Sequence, residues 1–263
     1  MPSDLVQLLI ITFVIHLIDT FAYSVRLNAV KSGQFALSAS LFNLFYLISL
    51  IAHSIQAPLI GGLIDNAMRL NTDPLPQLRI IILASTTGTF FGIFFTPTFL
   101  RIFSKAVYNL ERTGSVPSIV LNAFKSGSVV RLSNYFVFPV KNMFRNLPFN
   151  IVPRELITLN ALVTGIYTIG GMSAYYAASL VTSDHRLAAA ASAGIFNTAA
   201  NILFMLFIDP KSSIITDQAL KQHRPYDDVK ALVVILMSAK LLGTLFGQVL
   251  LNPLTQAIVM FYQ

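Results

Sequence analysis

Hydrophobic and polar positions alternate along the chain in long blocks, with apolar stretches separated by short polar or basic connections. A helix that crosses a bilayer needs about 20 predominantly apolar residues, and six stretches meet that length. We therefore predict an all-α polytopic membrane protein. The six predicted transmembrane helices cover residues 5–27, 35–57, 78–100, 156–181, 187–209 and 230–262.

Proline and glycine predict two interruptions of this pattern. Pro58, Gly61 and Gly62 indicate a broken helix end or a re-entrant turn after the second span. Pro253 predicts a break in the long sixth span, leaving a short interfacial tail. The connection 101–155 is too polar and proline-rich for another ordinary span. Its start favours an amphipathic cytoplasmic helix or a continuation of the third span, with a plain basic loop as the alternative.

Composition supports the membrane assignment and excludes several classes of function. Charged residues make up 11% of the chain and hydrophobic residues 55%, whereas soluble domains carry about 25% charged residues. The chain has no cysteine, which excludes disulfides and thiolate chemistry, and its four histidines lack metal-ligand spacing. No phosphate-binding loop or hydrolase motif occurs. We therefore predict no catalytic residues, no cofactor and no metal.

The basic residues predict how the chain is oriented. Fourteen of the eighteen Lys and Arg residues fall in the first, third and fifth connections. By the positive-inside rule these connections are cytoplasmic and both termini lie outside. The net charge of +7 is then explained by orientation and by anionic membrane lipids, with no need for nucleic acid. The N-terminus lacks the features of a cleaved signal peptide, so we expect the first span to be retained.

Short matches between the two halves predict a 3+3 inverted repeat. SASLFN at Ser38–Asn43 matches SAGIFN at Ser192–Asn197, and GTFFG at Gly88–Gly92 matches GTLFG at Gly243–Gly247. Three helices per half is an odd number, so the second half would be inverted, as in many transporters. The predicted units are a first repeat over 1–100, a basic amphipathic connection over 101–155 and a second repeat over 156–263. The GxxxG spacings favour packing within the chain over a dimer contact.

The first span carries an aligned set of polar residues in HLIDTFAYSVR. At 100° per residue these side chains fall within an arc of about 80°. We call them the polar stripe: Thr12, His16, Asp19, Tyr23 and Arg26. A charge near the bilayer centre costs about 2.5–3.5 kcal/mol on insertion scales, so the stripe must face a partner helix or a hydrated groove. The first alternative makes it structural, and the second makes it a site that meets an anion at Arg26.

Two residues of other spans join the candidate site. Lys240 lies ten residues into the predicted sixth span, too deep for easy snorkelling, and either balances Asp19 or binds a substrate phosphate. Asn43 and Asn197 occupy corresponding positions of the two halves, where interhelical hydrogen bonding is the simpler interpretation. The candidate substrate-binding residues are His16, Asp19, Tyr23, Arg26, Asn43 and Lys240.

The stretch HLIDTFAYSVRLNAVKSGQFALSASLFN, followed by IQAPLIGGLID, resembles the Amj family. These bacterial membrane proteins are alternative lipid II flippases, unrelated in fold to the MurJ flippases. The likeness is clearest over residues 16–65. It implies that the chain carries lipid II, an undecaprenyl diphosphate bearing a disaccharide-pentapeptide, from the inner to the outer leaflet of the bacterial cytoplasmic membrane for cell wall synthesis. Arg26 and Lys240 would then hold the diphosphate, with the other candidates lining its path.

The sequence also fits three other functions. They are a secondary transporter of a small anion, a membrane enzyme that modifies a lipid carrier, and a structural or assembly protein. The alternative energy sources are the membrane potential, proton coupling and consumption of the lipid outside. Six spans are few for so large a headgroup, which leaves a homodimer as an alternative to a monomer.

Overall fold

Six helical segments long and apolar enough to cross a membrane make up the fold, as predicted. The computed structural model describes residues 3–115, 136–137 and 147–263. These residues hold helices and no strand. The first three helices are α1 (Ser3–Ser32), α2 (Phe35–Arg69) and α3 (Leu75–Thr113). The fourth is α4 (Arg154–Leu180), preceded by a 3₁₀ turn at Phe149–Ile151.

The fifth span, Ser183–Leu220, is divided into shorter pieces. After a 3₁₀ turn at Ser183–His185 come α5 (Arg186–Ala191) and α6 (Ala193–Leu203). A π-helical turn at Phe204–Ile208 then leads into α7 (Asp209–Leu220). The sixth span is the single helix α8 (Tyr226–Tyr262).

Two predicted interruptions are wrong. The helix α2 continues through Pro58 and both glycines to Arg69, and α8 continues through Pro253 to Tyr262. A proline removes one backbone donor, and transmembrane helices tolerate this loss because neighbouring groups satisfy the freed carbonyl.

The start of the 101–155 connection extends the third helix. The helix α3 runs to Thr113 and ends at Gly114, whose φ of 62° and N–H bond to the Leu110 carbonyl form a left-handed cap. The rest of the predicted amphipathic connection lies largely outside the described residues. Its proposed helices are therefore untested.

The helices α4 and α8 form the most buried part of the bundle, whereas α2 and the fifth span lie at its periphery. One buried apolar cluster surrounds the C-terminal half of α1, and a second surrounds its N-terminal half. The first cluster includes Leu27, Leu156, Leu232 and Leu236. The second includes Leu8, Ile82, Ile169 and Leu251. The polar stripe runs along α1 beside both clusters, and its Tyr23 ring belongs to the first.

Both GxxxG pairs lie where two helices of the same half meet. A Cβ added at Gly88 would clash with the Phe13 carbonyl of α1, and one at Gly92 would lie 2.6 Å from the Thr20 Cβ. A Cβ added at Gly243 would clash with Thr164 and the Ala161 carbonyl of α4. The predicted packing within the chain is therefore confirmed, because small residues let these backbones approach closely.

Candidate functional site

The polar stripe of α1 is turned into the bundle along most of its length. Thr12, His16 and Tyr23 are buried, and Asp19 and Arg26 are partly buried. Lipid supplies no hydrogen-bond partners, so these groups depend on neighbouring helices or trapped water. The Nδ1 atom of His16 is buried and has no hydrogen-bond partner among the described residues.

The polar face of α2 satisfies two members of the stripe. The Gln56 amide donates to the Thr12 hydroxyl at 2.6 Å, and the Ser49 hydroxyl donates to the Asp19 carboxylate at 2.8 Å. Nearer the C-terminal end of α1, the Asn28 amide donates to the Ser38 hydroxyl at 3.0 Å. These pairs keep the register of two antiparallel helices, so α2 is held to α1 by polar contacts as well as by packing.

The stripe also reaches the second half of the chain through Tyr23. The Tyr23 hydroxyl donates to the Asn160 side-chain oxygen of α4 at 3.1 Å. The Asn160 amide in turn donates to the Leu236 carbonyl of α8 at 2.8 Å. Three helices are thus joined by one buried chain of hydrogen bonds.

A second polar contact between the halves involves His53 of α2. Its Nε2 atom lies 3.0 Å from the hydroxyl of Tyr167 on α4, and the two rings meet edge to face at a centroid distance of 5.4 Å. His53 lies one helical turn beyond Ser49 on α2, and the Ser49 hydroxyl contacts Asp19. His53 and Tyr167 therefore lie beside the middle of the stripe.

Lys240 is buried, with 4% of the residue exposed. Its ammonium donates to the His16 carbonyl at 3.4 Å and interacts electrostatically with Asp19. Among the described residues no ion pair within 4 Å involves Lys240. An ammonium has three donors, so this buried charge has donor capacity that the described protein groups do not use.

Arg26, predicted to meet an anion, meets a carboxylate of the protein. Its guanidinium pairs with Asp209 at 2.5 Å, at the start of α7. Asn43 lies exposed on α2, and no hydrogen bond among the described residues ties it to the stripe. The structure thus gathers five of the six candidates along one seam and leaves Asn43 apart.

Sequence reasoning missed most of the groups that complete the site. Asn160 and Tyr167 lie in the apolar fourth span, and Ser49 and Gln56 lie in the second. Each is a polar residue in a long apolar stretch, which is the same signal that singled out His16 and Asp19. Asp209 carried no such signal, since an acidic residue at the end of a predicted span is ordinary.

Comparison with known proteins gives one family and one relative. Residues 11–262 match the profile of a family described as "Amj: Alternate to MurJ". A protein of Bacillus subtilis (strain 168) named "Lipid II flippase Amj" is 33% identical over 242 residues, which cover 91% of this chain and 89% of that protein. No solved structure matches the chain.

Proposed function

The chain belongs to the Amj family, and we propose that it is a lipid II flippase of the bacterial cytoplasmic membrane. It moves the diphosphate-linked precursor from the inner to the outer leaflet and acts as a transporter, without changing the lipid chemically. The observation that carries the proposal is the seam of polar groups along α1, with the buried Lys240 ammonium against it.

The chemistry of the seam suits a diphosphate headgroup. Moving phosphates and sugars through a bilayer is costly unless each polar group keeps a partner. Arg26 and Lys240 provide charge-assisted hydrogen bonds for the phosphates. His16, Asp19 and Tyr23 line the path between them, whereas Asn43, exposed on α2, lies outside this path. The polyprenyl tail stays in lipid beside the bundle.

The proposal includes an inverted repeat of residues 1–100 and 156–263, joined by the connection 101–155. A shift of 152 residues aligns Ala22 of α1 with Ala174 of α4. Gly92 lies against Thr20 and the Leu17 carbonyl of α1, and Gly247 lies against Ile169 of α4. Leu17 and Ile169 also differ by 152 residues, whereas the two glycines differ by 155. This correspondence supports a duplication. We place both termini outside because the basic residues gather in the odd-numbered connections.

Transport then proceeds by alternating exposure of the seam between the two halves. Polar contacts cross it at Tyr23 with Asn160, His53 with Tyr167, and Arg26 with Asp209. These polar contacts can exchange for the polar groups of a substrate, while the two buried apolar clusters that both halves share hold the bundle together on either end.

A cell that depends on this protein alone for lipid II export provides the test. We expect lipid II to become accessible at the outer surface, in chemically unchanged form, when the protein is expressed. Depletion of the protein should abolish that accessibility. Lipid II that is chemically altered without relocation would contradict the proposal and favour a membrane enzyme.

A further inference from the structure

The ion pair between Arg26 and Asp209 is asymmetric in its exposure. The Arg26 side chain is 14% exposed, whereas the Asp209 side chain is 49% exposed. The carboxylate therefore has room to move outward, while the guanidinium stays inside the bundle. Arg26 has five N–H donors, and its bond to Asp209 is the one recorded for its side chain among the described residues.

The local backbone fixes where Asp209 stands. The Asp209 N–H bonds to the Phe204 carbonyl five residues earlier, which defines the π-helical turn. Pro210 follows directly and lacks an N–H of its own. The ring of Phe204 meets the edge of Tyr23 at a centroid distance of 6.3 Å. Two successive members of the stripe thus contact this π turn and the residue after it, and π turns are frequent at functional sites.

We propose that Asp209 determines which lipid reaches Arg26, by excluding phospholipids with a single negative charge. The inference rests on the proposed function, because it assigns specificity to the same site. In the protein without substrate, the carboxylate occupies the place of a phosphate. A lipid must displace it to enter the seam.

The charge balance of this exchange distinguishes the two kinds of lipid. A phospholipid with one phosphodiester replaces one negative charge with another, so the exchange gains little. The diphosphate of lipid II brings two adjacent negative charges and more acceptor oxygens for the unused donors of Arg26. Anionic phospholipids surround the protein in the membrane, so a site without Asp209 would be occupied by them.

Competition between lipids in nanodiscs of neutral phosphatidylcholine tests this inference. Lipid II binding to the purified full chain is measured while phosphatidylglycerol is added as the competitor. We expect phosphatidylglycerol to compete poorly with lipid II in the wild-type protein. In Asp209→Asn the phosphatidylglycerol concentration that displaces half of the bound lipid II should fall at least tenfold.

Three further variants complete the design. Asp209→Glu keeps the charge and should keep the wild-type selectivity. Asp217→Asn removes an exposed carboxylate of the same helix, paired with Lys221, and should also leave selectivity unchanged. Asp209→Ser removes the charge with a smaller side chain and carries the same expectation as Asp209→Asn, so either folded variant decides the result.

Selectivity that stays at the wild-type level in a folded neutral variant would overturn the inference. So would an equal loss of selectivity in Asp217→Asn, since that would indicate a general effect of surface charge. Failure of both neutral variants to fold would assign Asp209 to folding instead. Wild-type protein that binds no lipid II would contradict the proposed function itself, which separates the two failures.

Discussion

Lys240 is a buried cation without an ion pair among the described residues. A buried cation is costly unless it is paired, and here its hydrogen bond is a long one to the His16 carbonyl. Asp19 interacts with it electrostatically but accepts its hydrogen bond from Ser49. Lys240 therefore has two alternative roles. It is either a charge partner for Asp19 alone or a ligand for the substrate phosphate, and the two roles predict different effects of substitution.

We predict that Lys240→Gln lowers transport about ten- to hundredfold, as expected for losing a charge-assisted hydrogen bond of about 1.5–3 kcal/mol. Lys230→Gln is the matched control, because Lys230 lies on the same helix but is paired with Asp227 at the surface. The measurement is surface-exposed lipid II in the dependent cells. Recovery of transport in the double variant Asp19→Asn, Lys240→Gln would contradict a phosphate ligand and assign Lys240 to charge balance.

At the scale of elements, close helix contacts through glycine hold each half together. Gly88 meets the Phe13 carbonyl of α1, and Gly243 meets Thr164 and the Ala161 carbonyl of α4. Backbone atoms cannot move aside as a flexible side chain can. Tight packing of this kind is the main source of helix association in lipid.

We expect Gly88→Ala and Gly243→Ala each to destabilise the protein by about 1–3 kcal/mol, the usual effect of overpacking. Gly62→Ala is the control, because a Cβ there meets nothing within 4 Å. Thermal unfolding of the purified protein in detergent gives the comparison. Equal unfolding midpoints for Gly88→Ala and Gly62→Ala would contradict the close contact with α1.

The six membrane-spanning helices could be predicted from the sequence, but the ends of the helices and the residues that the polar stripe contacts could not. Hydropathy locates where a helix leaves the apolar layer, but α2 and α3 continue beyond it to Arg69 and Thr113. Helical periodicity placed Asp19 and Tyr23 on one face. It contains no information on which neighbour that face meets, so Ser49 and Asn160 emerged only from the packing.

At the scale of the whole molecule, the polar stripe belongs to one half. The corresponding positions of α4 hold Thr168, Gly171 and Ala178 where α1 holds His16, Asp19 and Arg26. The alternating exposure that we propose requires the two halves to move about this asymmetric seam. It also requires the charged end of the stripe, at Arg26, to face the cytoplasm, where lipid II is made.

Cysteine labelling tests that orientation, since the chain has no cysteine of its own. Asp184 and Lys221 are both exposed and lie in the fourth and fifth connections. In intact cells an impermeant maleimide should label Asp184→Cys. It should label Lys221→Cys only after the membrane is permeabilised. The reverse pattern would place both termini inside and contradict the proposed direction of the stripe.

The central claim is that this chain alone carries lipid II across a bilayer along the seam beside Lys240. Its most direct test uses vesicles that contain the purified protein and headgroup-labelled lipid II in both leaflets, treated with an impermeant reagent that destroys the label. With wild-type protein, we predict that the label of the inner leaflet is also lost, because the lipid reaches the outside. In vesicles with Lys240→Gln or without protein, the inner-leaflet label should persist. Persistence of the label in wild-type vesicles would contradict the account.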